Sequence, residues 1–195
     1  MMLKKTLLYL DEHVLFPARR NYLQERLCPL LTEGDRILDL GASDGRLAAK
    51  LGEKVSAEFI GCDVHVAEKT WIPIVSYSGE RLPFEDQSFD CVMIIDVLHH
   101  DLNPESVLQE ACRVSRKRIL IKDHFYNTKL EFFGLQVMDY IGNAPYGIRL
   151  PYNYLKLAEW EAILKRLNLR ILHQETFRYN LIDPCQHVVY QLEMA

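Results

Sequence analysis

The sequence predicts an α/β fold, a mostly parallel sheet covered by helices on both faces and closed by an antiparallel hairpin. Three observations carry this reading. Short apolar segments alternate with segments of helical period through the middle of the chain. One of them, Phe89 to Asp96, is apolar almost throughout, as strands buried on both faces are. Two strand-like segments near the end, Arg170 to Phe177 and His187 to Glu193, follow one another without a helix and read as a hairpin.

From about Leu3 to Leu31 the chain reads as leading helices. Leu3, Leu7, Leu10 and Val14 stand at helical spacing, and Tyr22, Leu23, Leu27 and Leu30 follow beyond an expected break at Pro17. The first strand, Arg36-Ile-Leu-Asp-Leu-Gly41, turns into a helix from about Gly45 to Leu51. Glu58 to Asp63 is the second strand, and Ile72 to Ser76 the third, which Pro73 confines to an edge or a strand start. Asn103-Pro104-Glu105 starts a helix, because Asn caps, Pro suits the first turn and the acid complements the positive end. Arg118 to Lys122 is a further strand, and Tyr154 to Leu167 a helix with Leu157, Trp160 and Ile163 or Leu164 facing inward.

The 195 residues suit one domain spanning 1–195, with the leading helices as 1–33. Half of the residues are apolar (49%) and a quarter charged (26%), which sets aside disordered and collagenous classes. A net charge of −4 supplies no field to draw a phosphate backbone, so nucleic acid is not an expected partner. The basic cluster Arg113, Arg116, Lys117 and Arg118 falls at an expected helix end, where cations offset the dipole. Five cysteines without a CxxC pair read as small hydrophobes in a reducing, cytoplasmic setting. No apolar run approaches the roughly 18 residues of a membrane span, so no integral membrane segment is expected.

Ligands of such sheets bind beyond the carboxyl ends of the strands. The first strand ends in Asp39-Leu-Gly41-Ala-Ser43-Asp-Gly45, a turn whose glycines permit close backbone approach to a ligand. A dinucleotide fingerprint GxGxxG would need glycine at Ser43 and Arg46, which disfavours NAD and with it a nucleotide-dependent oxidoreductase. Asp63 follows Gly45 by 18 positions, near the interval at which an acid accepts from ribose hydroxyls. An acid that merely caps the next turn is the plain alternative there.

Residues 36 to 45 (Arg-Ile-Leu-Asp-Leu-Gly-Ala-Ser-Asp-Gly), Asp63, Leu82-Pro-Phe-Glu-Asp-Gln-Ser-Phe-Asp90 and Asp96-Val-Leu-His-His100 together resemble the class I S-adenosylmethionine-dependent methyltransferases. The resemblance is greatest to the small-molecule group that includes quinone-biosynthesis enzymes, and it runs from about Arg36 to His124. It implies a Rossmann-like seven-stranded sheet of order 3-2-1-4-5-7-6, S-adenosyl-L-methionine as cofactor, and a small-molecule or lipidic methyl acceptor. By resemblance, Asp39 lies near the methionyl amino group, Gly41, Ser43 and Gly45 turn beneath the methionyl part, and Asp63 holds the ribose diol. Val64 and Leu82 give apolar contacts to the adenine, and Asp96, Val97 and Leu98 border the sulfonium and methionine. The chain departs from the pattern twice. Ser78 stands where an acid often receives the adenine amino group, and Ser43 replaces a middle glycine, so the backbone there is expected to be strained or differently turned.

In-line methyl transfer needs alignment more than proton transfer, since alignment supplies roughly 7 to 11 kcal/mol against the 10²- to 10⁴-fold of one general base. If the acceptor is a hydroxyl, phenol or acidic carbon, His124 and His100 are the expected bases, with His99 and Asp123 nearby. The alternative is that these histidines only hold loop backbone. No HExxH, cysteine pair or His-x-Asp set with a third ligand appears, so no metal is expected, and no GxSxG elbow supports a hydrolase. Residues 125–154 hold eight of the chain's twenty aromatics and are expected to be an insertion covering the acceptor site, or a helix packing its rings on the sheet. A non-catalytic S-adenosylmethionine-binding module would share the cofactor signals and is separated by detecting methylated product.

Overall fold

The computed structural model describes residues 16–143, 150–180 and 183–194. Its strands are β1 (Arg36–Leu40), β2 (Glu58–Asp63), β3 (Ile74–Ser76), β4 (Phe89–Ile95), β5 (Ser115–Phe125), β6 (Leu169–Phe177) and β7 (Gln186–Met194). The helices are α1 (Phe16–Leu27), α2 (Arg46–Gly52), α3 (Pro104–Val114), α4 (Lys129–Asn143) and α5 (Leu157–Arg166), with short 3₁₀ turns at Cys28–Leu30 and Leu98–His100. The strands form one sheet of order β3-β2-β1-β4-β5-β7-β6, as the sequence predicts. β1 to β5 pair in parallel, and β7 runs antiparallel to both β5 and β6.

Period-two alternation sorts the strand side chains between two cores. Leu38, Leu40, Val92, Ile94, Ile119, Ile121, Val188 and Tyr190 face α3 and α5. Ile37, Cys91, Met93, Leu120 and Val189 face the opposite way, against Leu23 and Leu27 of α1 and Ala48 and Leu51 of α2. β1 and β4 are buried along nearly their whole length, which is why they read as unbroken apolar runs. β3 is three residues long and lies at the sheet edge, the position Pro73 allows. Asn103 caps α3, its side chain accepting from the Ser106 N–H, with Pro104 and Glu105 in the first turn.

Pro17, where a break was expected, is the second residue of α1, a position at which a missing N–H costs nothing. The expected helix over Leu3 to Val14 lies outside the described residues. The structure differs from the sequence reading in two places. The basic cluster is not a helix end: only Arg113 is in α3, while Arg116, Lys117 and Arg118 open β5. Lys117 reaches Asp90 (3.0 Å), Arg118 pairs with Asp35, and Arg113 ties Glu110 and Asp86 to the Leu82 and Phe84 carbonyls. β5 therefore starts earlier than its apolar core suggests, because acids of neighbouring segments supply partners for its cations. Finally, the helix expected from Tyr154 begins at Leu157, where the Glu159 carboxylate reaches back to accept from the Lys156 N–H (2.7 Å). All five cysteines are free. No helix among the described residues is long and apolar enough to cross a membrane.

Candidate active site

Parallel strands deliver their loops to one edge of the sheet, and the chemistry-bearing residues gather there. After β1 the chain passes through three left-handed residues, Gly41 (φ 80°), Ser43 (φ 54°) and Gly45 (φ 78°). Glycine is demanded at 41 and 45 by the chain itself: a Cβ at Gly41 would strike the Val97 side chain, and one at Gly45 would strike Ile72. Ser43 has no such freedom and holds a sparsely populated backbone conformation, as its replacement of a glycine implies. Its N–H donates to Asp63 Oδ2 (2.7 Å), which fastens the turn after β1 to the end of β2.

Asp63 also accepts from the His65 N–H through Oδ1 (2.8 Å), so it caps the following turn as well. A carboxylate offers about four acceptor positions, which leaves room for further donors beside these two. Asp39 is buried (4% exposed) one strand away. Burial, and then the charge of Asp63, push its carboxyl up to about 7. Two acids sharing a loop in this way form a site that a cation relieves. The residues present therefore fit a ligand carrying positive charge and hydroxyl donors, as S-adenosylmethionine does. Of the other residues expected to line it, Ser78 and Val64 are exposed, while Leu82 is buried in the core on the α3 face (2% exposed).

Beyond β4, Asp96 is another non-glycine residue in the left-handed region (φ 58°). It turns its carboxylate to a charged cluster on the α1 face of the sheet. Lys122 Nζ lies 2.5 Å from Oδ1, Arg19 of α1 lies 2.5 Å from Oδ2, and His124 Nδ1 lies 3.3 Å from Oδ1. Burial alone would raise the Asp96 carboxyl, but Lys122 and Arg19 override it and hold it well below the carboxylate range. Alternation along β5 puts Lys122 and His124 on this face together, and the antiparallel partner of His124 on β7 is His187. Their rings lie 4.7 Å apart, and His187 Nε2 is 3.2 Å from Asp183. Burial and Lys122 lower His124 to about 4, so its ring is neutral at physiological pH. His124 keeps 15% of its side chain exposed, and Asp96 17%.

Asp123 faces the other side of β5 and is fully buried. It bonds His99 Nδ1 (2.6 Å), and His99 Nε2 looks toward Asp139 of α4 at 4.0 Å. The Tyr154 hydroxyl donates to Asp139 Oδ2 (2.6 Å), and its ring stacks on His99. His100 packs beside His99 at a ring separation of 4.1 Å. The structure thus brings His99, His100, Asp123 and His124 to one place, and adds Arg19, Lys122, Asp139, Tyr154 and His187. Lys122 was legible only as a strand residue, because nothing in the sequence signals that its neighbours on three elements are acids and histidines. Among the described residues, Asp96, His124 and His187 bring ligand atoms within 4.8 Å of one another, as do two sets that include His99. The first set already holds the cations Lys122 and Arg19, whose charge opposes a divalent ion there.

The 125–154 segment divides its aromatics. Tyr126, Phe132, Tyr152 and Tyr154 pack with Leu135 and Cys185 in a small separate core, whereas Phe133 and Tyr140 are exposed on α4. Tyr146 lies outside the described residues.

Comparison with known proteins agrees with this geometry. The family described as Methyltransferase domain matches residues 38–119, which run from β1 into β5. A demethylmenaquinone methyltransferase from Mycobacterium sp. (strain KMS) is 37% identical over 87 residues, 43% of this chain and 38% of that enzyme. The ubiquinone biosynthesis O-methyltransferase of Hahella chejuensis is 25% identical over 186 residues, covering 86% of this chain and 75% of that one. The alignments with the relatives at 34% and 37% identity span only about two fifths of those relatives' length. In fold, the PH0226 protein from Pyrococcus horikoshii superposes with a TM-score of 0.68 at 15% identity, covering 92% of this chain and 91% of that one. From β1 through the start of β5, the motifs and the strand order are those of the class I S-adenosylmethionine-dependent methyltransferases, which this part of the chain resembles.

Proposed function

We propose that this protein transfers the methyl group of S-adenosylmethionine to a small-molecule acceptor seated beside His124, at the ends of β4, β5 and β7. The observation that carries the reading is the pair of acids, Asp39 and Asp63, around the left-handed turn after β1 in a chain whose residues 38–119 match a methyltransferase domain. Asp39 and Asp63 would hold the cofactor's ammonium and ribose, with Gly41, Ser43, Gly45, Val97 and Leu98 shaping the turns against it. When bound, S-adenosylmethionine supplies an electrophilic methyl carbon that already carries the driving force for displacement.

The work left to this chain is orientation and exclusion of water. Arg19, Asp96, Lys122 and Tyr179 form a polar floor beside His124, suited to the polar end of an acceptor. Segment 125–154 is the proposed cover, with the Tyr126–Phe132–Tyr154 cluster as its apolar wall. His124, neutral and partly exposed, is placed to take a proton from a hydroxyl or phenol acceptor. His100 stands on the neighbouring Leu98–His100 turn after β4. Relatives named for demethylmenaquinone and for ubiquinone biosynthesis, the latter an O-methyltransferase, support an acceptor of this kind.

The test has two stages. Equilibrium binding should show affinity for S-adenosylmethionine and none for NAD, and Asp63→Ala should weaken it by about 1.5 to 3 kcal/mol, the range of a charged hydrogen bond. Incubation with isotopically labelled methyl donor and fractionated extract should then label one compound in wild type. Binding without any labelled product would make the protein a cofactor-binding module, and NAD binding would restore the oxidoreductase reading.

A further inference from the structure

We propose that Asp123 is a positioning residue that locks the cofactor-side turn after β4 to the acceptor-side His124, so that the two loops act as one rigid unit. Its cofactor arm rests on the function proposed above.

The sheet ladder between β4 and β5 runs out at their carboxyl ends. Ile95 pairs with Lys122, and the last backbone bond is the Asp96 N–H to the Lys122 carbonyl (2.7 Å). Past that point the two chains diverge, one into the Leu98–His100 turn and the other along β5 toward β7. Loops at such an edge ordinarily have no fixed relation to one another. Here a single carboxylate takes over from the ladder. Asp123 Oδ2 accepts from the Leu98 N–H (3.0 Å) and the His99 N–H (3.3 Å). Asp123 Oδ1 accepts from the His124 N–H (2.7 Å) and lies 2.6 Å from His99 Nδ1.

All of the roughly four acceptor positions of a carboxylate are thereby used, by groups from two loops some 25 residues apart. Charge-assisted bonds of this kind are about twice as strong as neutral ones, and they are sealed from water, since Asp123 is fully buried. Burial alone would raise its carboxyl; the facing His99 and the His124 bond overcome this and hold it below the carboxylate range. The Nδ1 contact also fixes the orientation of the His99 ring, so that Nε2 faces Asp139, and through Asp139 the Tyr154 hydroxyl. Val97 and Leu98 are thus held at a fixed distance from His124 by a side chain that need touch neither cofactor nor acceptor. A carboxylate that only capped the 3₁₀ turn would need the Leu98 and His99 amides and nothing from β5.

Amide hydrogen exchange, read residue by residue, tests this with S-adenosylhomocysteine as probe. In wild type, adding the probe should raise protection of the Leu98 and His124 amides by the same factor; a response at Leu98 alone would overturn the proposal. Asp123→Asn keeps the size but replaces one acceptor oxygen with a donor. It should speed exchange at both amides at least tenfold, leave Ile37 and Phe59 in β1 and β2 unchanged, and weaken the probe at least fivefold by calorimetry. Freed amides with unchanged affinity would reduce Asp123 to a structural cap. His99→Gln, which spares the three backbone bonds, should keep affinity within twofold; a loss equal to that of Asp123→Asn would move the role to the imidazole. Failure of wild type to bind the probe at all would remove the cofactor arm and the proposed function, while the Asp123→Asn amide readout would still decide whether the two loops are joined.

Discussion

His124 owes its chemistry to a lysine two residues earlier. Burial and then the Lys122 charge lower its imidazole to about 4, so it enters the neutral pH range as an uncharged acceptor. If it takes the acceptor's proton, turnover should be flat from about pH 5.5 upward, without the limb near 6.5 of an ordinary histidine. Lys122→Met removes that charge while Arg19 still neutralises Asp96. The His124 pKa should then rise, moving the acid limb of the rate toward pH 6; an NMR titration of the imidazole checks the shift directly. An unmoved titration would show that burial alone sets it. The pattern Lys122-Asp123-His124 illustrates what sequence conceals at this scale. Three adjacent polar residues read as the end of a strand, yet alternation sends the first and third to the α1 face and the second to the α3 and α5 face. Which of them serves as base, clamp or charge depends on partners 25 to 65 positions away, supplied by the turn after β4 and by β7.

At the scale of elements, α4 is the one the sequence described least well. Its aromatics suggested either a cover or a helix packed on the sheet, and the structure splits them. Leu135 is buried at 1% exposure beneath Tyr154, whereas Leu130 and Phe133 stand 80% and 61% exposed. Leu135→Ala should therefore destabilise the protein by about 2 to 5 kcal/mol in denaturant titration. Phe133→Ser should change stability by no more than about 0.5 kcal/mol. Comparable losses at both positions would mean that the outer face of α4 is buried in solution. The strands, by contrast, were legible because burial on both faces leaves only apolar residues acceptable in β1 and β4. The early start of β5 was not, since its first residues are cations that are stable there only beside Asp35 and Asp90.

For the molecule as a whole, Asp39 couples stability to ligand. Its carboxyl is raised to about 7 in the fold against about 3.9 when unfolded. The sign for a raised acid is definite: the folded state gains stability from Asp39 at low pH, and loses it as pH rises through the folded value and a buried charge forms. Asp39→Asn should make the ligand-free protein more stable at pH 8 by more than about 1 kcal/mol, with the gain vanishing near pH 4. The same substitution should weaken S-adenosylmethionine, because a neutral amide cannot answer its cationic groups. Thermal unfolding with and without ligand, across that pH range, measures both effects. A variant less stable at pH 8 would show that Asp39 is already ionised and paired in the free protein.

The sequence by itself determined the fold class, the strand order through family resemblance, the left-handed turn after β1 and the resemblance to a methyltransferase domain. Each depends on local periods, glycines and short spacings that chain neighbours dictate. Only the tertiary structure decided how the polar residues divide their tasks. It closed Asp63 onto Ser43, gave Asp96 to Lys122 and Arg19, and set Asp123 between two loops. The reason is physical: the pKa of a carboxylate or imidazole follows from burial and from charges within a few ångströms, and those charges come from strands and helices that only the folded sheet brings together.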